Sequence, residues 1–289
     1  MKKPAGLILA ALFFGLPASA QTQREVWNGP TDPFRIADDL YYVGTAGLAS
    51  YLFVSPDGHI LLDGALEESV PEIEANIREL GFELRDIRYL LNSHAHLDHS
   101  GGLARLKADT GARLLAHEGD RSALEGGFYL GSESVKALGA PPVSVDLAFE
   151  DGQVVELGGW ELVAHHTPGH SRGCTSWGFD AGDGGQSFSA LVFCSASVAA
   201  NRITAPVQYA DIVADYRKTF AKAETMKIDM FLAPHPEFFG MAAKRARMAA
   251  DSTKNAFADP AEFPVFIARQ KADFEKQLAE RMAAAKPAN

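Results

Sequence analysis

Apolar residues along the chain fall into short runs broken by glycine, proline and aspartate, and the period within each run separates strand from helix. Runs at 40–43, 49–54 and 59–63 predict three strands, with Ser55-Pro56-Asp57-Gly58 turning the last two into a hairpin. Over 70–80 the spacing changes. Val70, Ile73, Ile77 and Leu80 share one helical face, and Gly81 closes the helix. A buried strand at 86–91 follows, then a helix at 103–109 and a strand at 113–117. The stretch 125–131 sets aromatic residues among glycines and predicts a mobile surface loop, one wall of a cleft. Strands at 147–150, 153–157 and 161–166 come next, then a pair at 174–179 and 187–193 around a turn at 181–185. Ile212, Tyr216, Phe220 and Ala223 mark an amphipathic helix over 211–227, and an apolar strand at 228–233 precedes a helical tail over 263–285. Strands with helices, then strands alone, then strands with helices again fit an α+β sandwich: two packed mixed β-sheets flanked by helices. No repeat, heptad or linker-like stretch interrupts 21–289, so one domain is expected there.

The first twenty residues stand apart from this pattern. Lys2 and Lys3 precede an apolar run over 7–16, and Ala18-Ser19-Ala20 forms an A-x-A cleavage site, the marks of a secretory signal peptide. The run is too short for a stable bilayer span, and no cysteine follows the cut to carry a lipid. A periplasmic protein starting near Gln21 is expected, without stable membrane association and monomeric. Without Lys2 and Lys3 the chain carries 25 basic against 37 acidic residues, a net charge of about −12. That balance, with no long basic run, argues against a nucleic-acid partner. The basic spot Lys244-Arg245-Ala246-Arg247 reads as a solvated helix face. Two cysteines in an exported chain, Cys174 and Cys194, point to one disulfide, with two buried thiols as the alternative.

The chemistry concentrates in Ser93-His94-Ala95-His96-Leu97-Asp98-His99-Ser100, just past the strand at 86–91. In an extended loop, alternation puts His94, His96 and Asp98 on one side and His99 on the other, which suits a compact cluster holding two metals. Ser100, Gly101 and Gly102 let backbone approach closely. Imidazole nitrogen and carboxylate oxygen without thiolate fit zinc in an open, catalytic setting. Two further histidines also lie just past apolar strands: His170 in the rigid turn Thr167-Pro168-Gly169-His170, and His235 between Pro234 and Pro236. Loops at one end of a sheet sandwich converge, so three distant segments can build one site. His165 and His166 sit on a strand and are set aside as ligands. His59, beside a turn, is expected to be exposed, and His117 to lie in the core or at its rim.

This constellation resembles the metallo-β-lactamase superfamily, an αβ/βα sandwich with a dinuclear zinc site, and within it the third subclass of class B metallo-β-lactamases. The supporting runs are 94–99, 167–177, Cys194-Ser195-Ala196-Ser197 and Ala233-Pro234-His235-Pro236. The resemblance assigns His94, His96 and His170 to a first zinc and Asp98, His99 and His235 to a second. It also implies a Cys174–Cys194 disulfide, and it places Ser195 and Ser197 against the carboxylate of a β-lactam. The implied activity is hydrolysis of the β-lactam amide by a hydroxide shared between two zinc ions, which Asp98 also orients, and hence antibiotic resistance. Two zincs with Asp98 and hydroxide leave about +2 in the cleft, an attraction for an anionic substrate. Thioesterases and lactonases of the same superfamily usually have a metal-bridging aspartate where this chain has Ser195. A lactonase or thioesterase is the competing reading, against which Ser195 weighs, and a zinc scavenger is a more distant one, since no flexible histidine-rich tract is present. Arg172 departs from the proline or other small residue frequent in that loop, and the loops near 28–34 and 126–130 are expected to set which β-lactams are preferred.

Overall fold

A computed structural model describes residues 22–251 and 253–285. The signal peptide expected at 1–20 lies outside the described residues. The strands are β1 (Phe34–Ala37), β2 (Leu40–Tyr42), β3 (Tyr51–Phe53), β4 (His59–Leu62), β5 (Ile87–Leu91), β6 (Arg113–His117), β7 (Leu147–Phe149), β8 (Val154–Leu157), β9 (Trp160–His166), β10 (Thr175–Asp183), β11 (Gln186–Val192) and β12 (Met230–Leu232). The helices are α1 (Gln23–Trp27), α2 (Val70–Glu79), α3 (Leu97–Ser100), α4 (Leu103–Thr110), α5 (Glu118–Gly126), α6 (Ile212–Ala223), α7 (Met241–Ala250) and α8 (Glu262–Ala284).

β1 to β7 form one sheet in chain order, antiparallel from β1 to β4 and parallel from β4 to β7. The second sheet runs β12-β11-β10-β9-β8, with β12 alone parallel to its neighbour. Both are mixed, as expected, and helices cover them. The first sheet is buried on two faces, which is why its central strands read as unbroken apolar runs. Tyr51, Phe53, Ile60 and Leu62 point into the core shared with Trp177, Phe179 and Leu191 of the second sheet. Leu52, Leu61 and Leu90 point the other way, onto Val70, Ile73 and Ile77 of α2 and Leu103 and Leu106 of α4. Alternate residues of a strand serve opposite layers. Phe263, Phe266, Phe274 and Leu278 bury the apolar stripe of α8 against the second sheet and α6.

Several expectations change. His59 is only 7% exposed, because it opens β4 and the Phe82 ring packs edge-on against it at 5.2 Å. Lys244 is not solvated. Its stem lies in the core, its ammonium pairs with Glu262 and donates to the Phe231 carbonyl at 3.2 Å, and it sits 5.5 Å from the Phe239 and Phe257 rings. The 125–131 stretch is partly helical, since α5 runs to Gly126 and Gly127 closes it at φ 65°. β10 and β11 extend through the expected turn, leaving Gly184 and Gly185 as a two-residue hairpin loop at φ 59° and 86°.

Candidate metal centre

β5, an interior strand of the first sheet, delivers the cluster just past its C-terminal end. Thr175 donates its amide to the Ser93 carbonyl at 2.8 Å, tying that end to β10 of the second. The chain bends at Ala95 and His96, with His96 itself at φ −94° and ψ 149°, and the imidazoles of His94 and His96 lie 4.7 Å apart. The alternation stops there. His96 is the N-cap of α3, so Asp98 and His99 stand on a helical turn rather than on an extended loop. The turn still carries both to the centre, and His99 lies 4.4 Å from His94 ring to ring.

His170 arrives through a rigid turn. Gly169 takes φ 130°, and any Cβ there would meet the Tyr216 ring at 2.7 Å. Thr219 of α6 holds the Pro168 carbonyl at 2.6 Å. On the opposite side, the Pro234 carbonyl accepts from the Ala49 amide at 2.8 Å, which fixes His235 beside β3, and Trp27 of α1 packs on its ring at 5.5 Å.

Two groups of ligand-type atoms result. Nε2 of His170 lies 3.1 Å from both Nε2 of His94 and Nδ1 of His96. Nε2 of His99 lies 3.1 Å from Nε2 of His235, and Oδ2 of Asp98 is 3.4 Å from each. A tetrahedral zinc with ligands at about 2.0–2.1 Å has ligand–ligand edges of about 3.4 Å, so both groups fit that ion. All six ligand positions expected from the sequence converge; His165 and His166 take no part.

Hydrogen-bond partners assign the tautomers in the first group. His170 donates from Nδ1 to the Ser197 carbonyl at 2.7 Å. His94 donates from Nδ1 to Ser93 Oγ at 2.9 Å, and that hydroxyl donates on to Asp63 at 2.6 Å. The Nε2 atoms of His94 and His170 are thus both bare, and their 3.1 Å approach joins two lone pairs, which only a shared cation makes favourable. Burial, reinforced by the neighbouring imidazoles, holds His94 and His96 well below the ordinary histidine value, and burial pulls His170 down to about 4. All three are therefore neutral, the form that ligates metal. For His99 burial acts downward, but Asp98 and then Asp63 outweigh it and the net shift is upward.

Four residues support the ligands, and three of them, Asp63, Asp120 and Asn201, carried no sequence signal. Asp63, buried in a left-handed turn at φ 65°, accepts from the Ser93 backbone N–H at 2.7 Å, from the Asn92 side-chain Nδ2 at 3.1 Å and from the Ser93 hydroxyl, and faces Nδ1 of His99 at 3.9 Å. Asp120 takes donors from both loops of the first group. Tyr129 stacks on His96 at 4.3 Å and 12° and donates to Asn201 at 2.8 Å, while Asn201 donates to the His170 carbonyl at 2.8 Å. Tyr129 belongs to the 125–131 stretch, so the cleft wall expected there touches the centre directly.

Ser195 and Ser197 lie beside His170. Their hydroxyls are 3.3 Å apart, Ser195 Oγ accepts from the Ser197 amide at 3.2 Å, and Ser197 Oγ is 3.3 Å from Nδ1 of His170. Cys174 and Cys194 are joined in a disulfide, and Sγ of Cys194 packs 3.6 Å from Nδ1 of His94.

Comparison with known proteins agrees with this geometry. The family model of the metallo-β-lactamase superfamily matches residues 45–184. The subclass B3 metallo-β-lactamase of Bradyrhizobium japonicum is 48% identical, with a TM-score of 0.89, over 92% of this chain and 100% of that one. A Cronobacter sakazakii metallo-β-lactamase, described by a HARLDQ motif where residues 94–99 here read HAHLDH, is 42% identical with a TM-score of 0.84 over 91% and 100%. The native Legionella gormanii metallo-β-lactamase is 37% identical with a TM-score of 0.84 over 88% and 98%. Curated relatives match over shorter spans. A hydroxyacylglutathione hydrolase of Maricaulis maris is 28% identical over 36% of this chain, which covers only 33% of that protein's length. One from Rhodopseudomonas palustris is 32% identical over 45% of this chain and 42% of its own. With two packed mixed sheets, two three-ligand groups at one edge and these relatives, the chain belongs to the metallo-β-lactamase superfamily and groups there with the subclass B3 metallo-β-lactamases.

Proposed function

We propose that this chain hydrolyses the amide bond of β-lactams with two zinc ions, one held by His94, His96 and His170 and one by Asp98, His99 and His235. The observation that carries the reading is the pair of bare nitrogens on His94 and His170, 3.1 Å apart beside a second three-ligand group. A zinc pair supplies Lewis acidity and lowers the pKa of water toward neutrality, so no serine or cysteine nucleophile is needed. The chain's own residues do the rest. Asp98 presents a carboxylate that accepts a hydrogen from the attacking water and orients it. Ser195 and Ser197 offer hydroxyl donors to the substrate carboxylate, and the Ser197 carbonyl keeps His170 in one tautomer. Tyr129 closes the side of His96 and keeps water from its ring face. The leader at 1–20 directs export to the periplasm, residues 21–289 act as a single monomeric unit, and the outcome for the cell is β-lactam resistance.

Partial similarity to hydroxyacylglutathione hydrolases favours one second reading, thioester hydrolysis. Ser195 weighs against it, because a serine cannot bridge two metal ions as an aspartate does. Purified protein assayed on a carbapenem, a penicillin and a hydroxyacylglutathione thioester, each with and without chelator, separates the two. Turnover of the β-lactams that chelator abolishes and zinc restores is expected. Turnover of the thioester alone would overturn the assignment.

A further inference from the structure

The Asp120 carboxylate fastens together the two loops of the first ligand group by direct hydrogen bonds to each. Asp120 is 2% exposed and belongs to the first turn of α5, where an aspartate ordinarily caps its own helix. It does not do so here. The helix is capped instead by His117, whose Nδ1 accepts from the Gly119 amide at 3.0 Å. Every hydrogen bond to the Asp120 carboxylate comes from elsewhere: the Ala95 amide at 2.9 Å, the Ser171 hydroxyl at 2.6 Å and the Gly173 amide at 2.7 Å. Ala95 lies between the ligands His94 and His96, and Ser171 follows the ligand His170.

The backbone is fitted to this clamp. A Cβ on Gly173 would lie 2.5 Å from the Asp120 amide and 2.7 Å from its Cγ, and a Cβ on Gly119 would lie 2.9 Å from the Arg172 carbonyl. Two glycines let the His170 loop and the start of α5 meet in contact. Among the described residues, Asp120 has no Lys or Arg ion pair. A fully hydrogen-bonded carboxylate without a cation, under loops converging on bare imidazole nitrogens, is placed to complement a cation held by them.

Resting on the two-zinc reading, we propose that Asp120 is a positioning residue for the first zinc: it sets the separation of the 94–96 and 170–173 loops and so tunes the affinity of His94, His96 and His170 for metal. Of its three bonds, Asp120→Asn keeps those an amide oxygen can accept, loses at least one, and removes the charge. Metal-free wild type and variant are titrated with zinc against a chromophoric chelator, and the two dissociation constants are resolved. In the variant one constant is expected to rise roughly 10- to 100-fold, the range typical of outer partners of metal ligands, and the other to stay near its wild-type value. Unchanged constants, or an equal loss at both sites accompanying lower thermal stability of the metal-free protein, would overturn the proposal. If Asp120→Asn does not fold, Ser171→Ala removes one bond and leaves both amide donors in place. A roughly fivefold loss at one site alone then supports the proposal, and no loss overturns it. Wild type that binds two zincs yet leaves β-lactams intact would overturn the proposed function, while the same titration still decides the role of Asp120.

Discussion

Nε2 of His94 and Nε2 of His170 approach to 3.1 Å although both nitrogens are unprotonated, each ring having committed its hydrogen to Ser93 or Ser197. Repulsion between these lone pairs makes the metal-free centre unfavourable, so bound zinc and folding stability are linked. Zinc at one hundred times its dissociation constant stabilises the fold by about 2.7 kcal/mol per site. The unfolding temperature should therefore fall on chelation and recover with zinc, read by calorimetry. Identical transitions with and without metal would mean that no ion occupies the centre.

Tyr129 and His96 stack at 4.3 Å, and the hydroxyl of Tyr129 reaches the His170 loop through Asn201. Tyr129→Phe keeps the ring and loses one hydrogen bond, a change of about 1 kcal/mol, so zinc affinity should fall no more than about fivefold. Tyr129→Ala also removes a stacked pair worth about 0.5–1.5 kcal/mol and leaves a cavity. It should bind the first zinc more weakly than the Phe variant. Equal affinities for both variants would assign the stack no role.

Much of this site was legible because metal ligation needs particular residue types at short spacing. His94, His96, Asp98 and His99 lie within six positions, and the turns before His170 and around His235 carry prolines that show rigid loops. The strands were legible where both faces are buried, as in β4. What escaped depends on contacts distant in sequence. Nothing beside Asp120 marks it, because its partners lie 25, 51 and 53 positions away, and Asp63 is likewise defined by Ser93, 30 positions on. His59 and Lys244 look solvated by type and are covered by Phe82 and by Phe239 and Phe257, which periodicity does not reveal. With Asp63 and Asp120 both buried near the centre, the local charge is less positive than Asp98 alone implied. Under the proposed function, a substrate carboxylate would then depend more on the Ser195 and Ser197 hydroxyls.

The Cys174–Cys194 bridge spans 20 positions and backs onto His94. A closed loop of that size stabilises the fold by about 3 kcal/mol. Replacing both cysteines with serine should lower the urea midpoint by a corresponding amount. An unchanged midpoint would show that the bridge adds no stability.

His117 stacks on His166 at 4.0 Å, and burial, with His166 next, pulls its imidazole from 6.5 down to about 4. A base depressed in the folded state is protonated first in the unfolded chain. Its neutral form costs nothing above pH 6.5, and stability is lost as pH falls from 6.5 toward 4, levelling below that. Urea midpoints at pH 7.5 and 4.5 should differ less in His117→Gln than in wild type. Equal differences would remove His117 from the acid response.

The most direct test follows hydrolysis of one β-lactam as metal-free protein is loaded with zinc, with bound metal per chain measured on the same samples. The rate should be negligible at zero zinc and reach its plateau when two ions are bound per chain. Full turnover in protein verified to contain no metal would contradict the account.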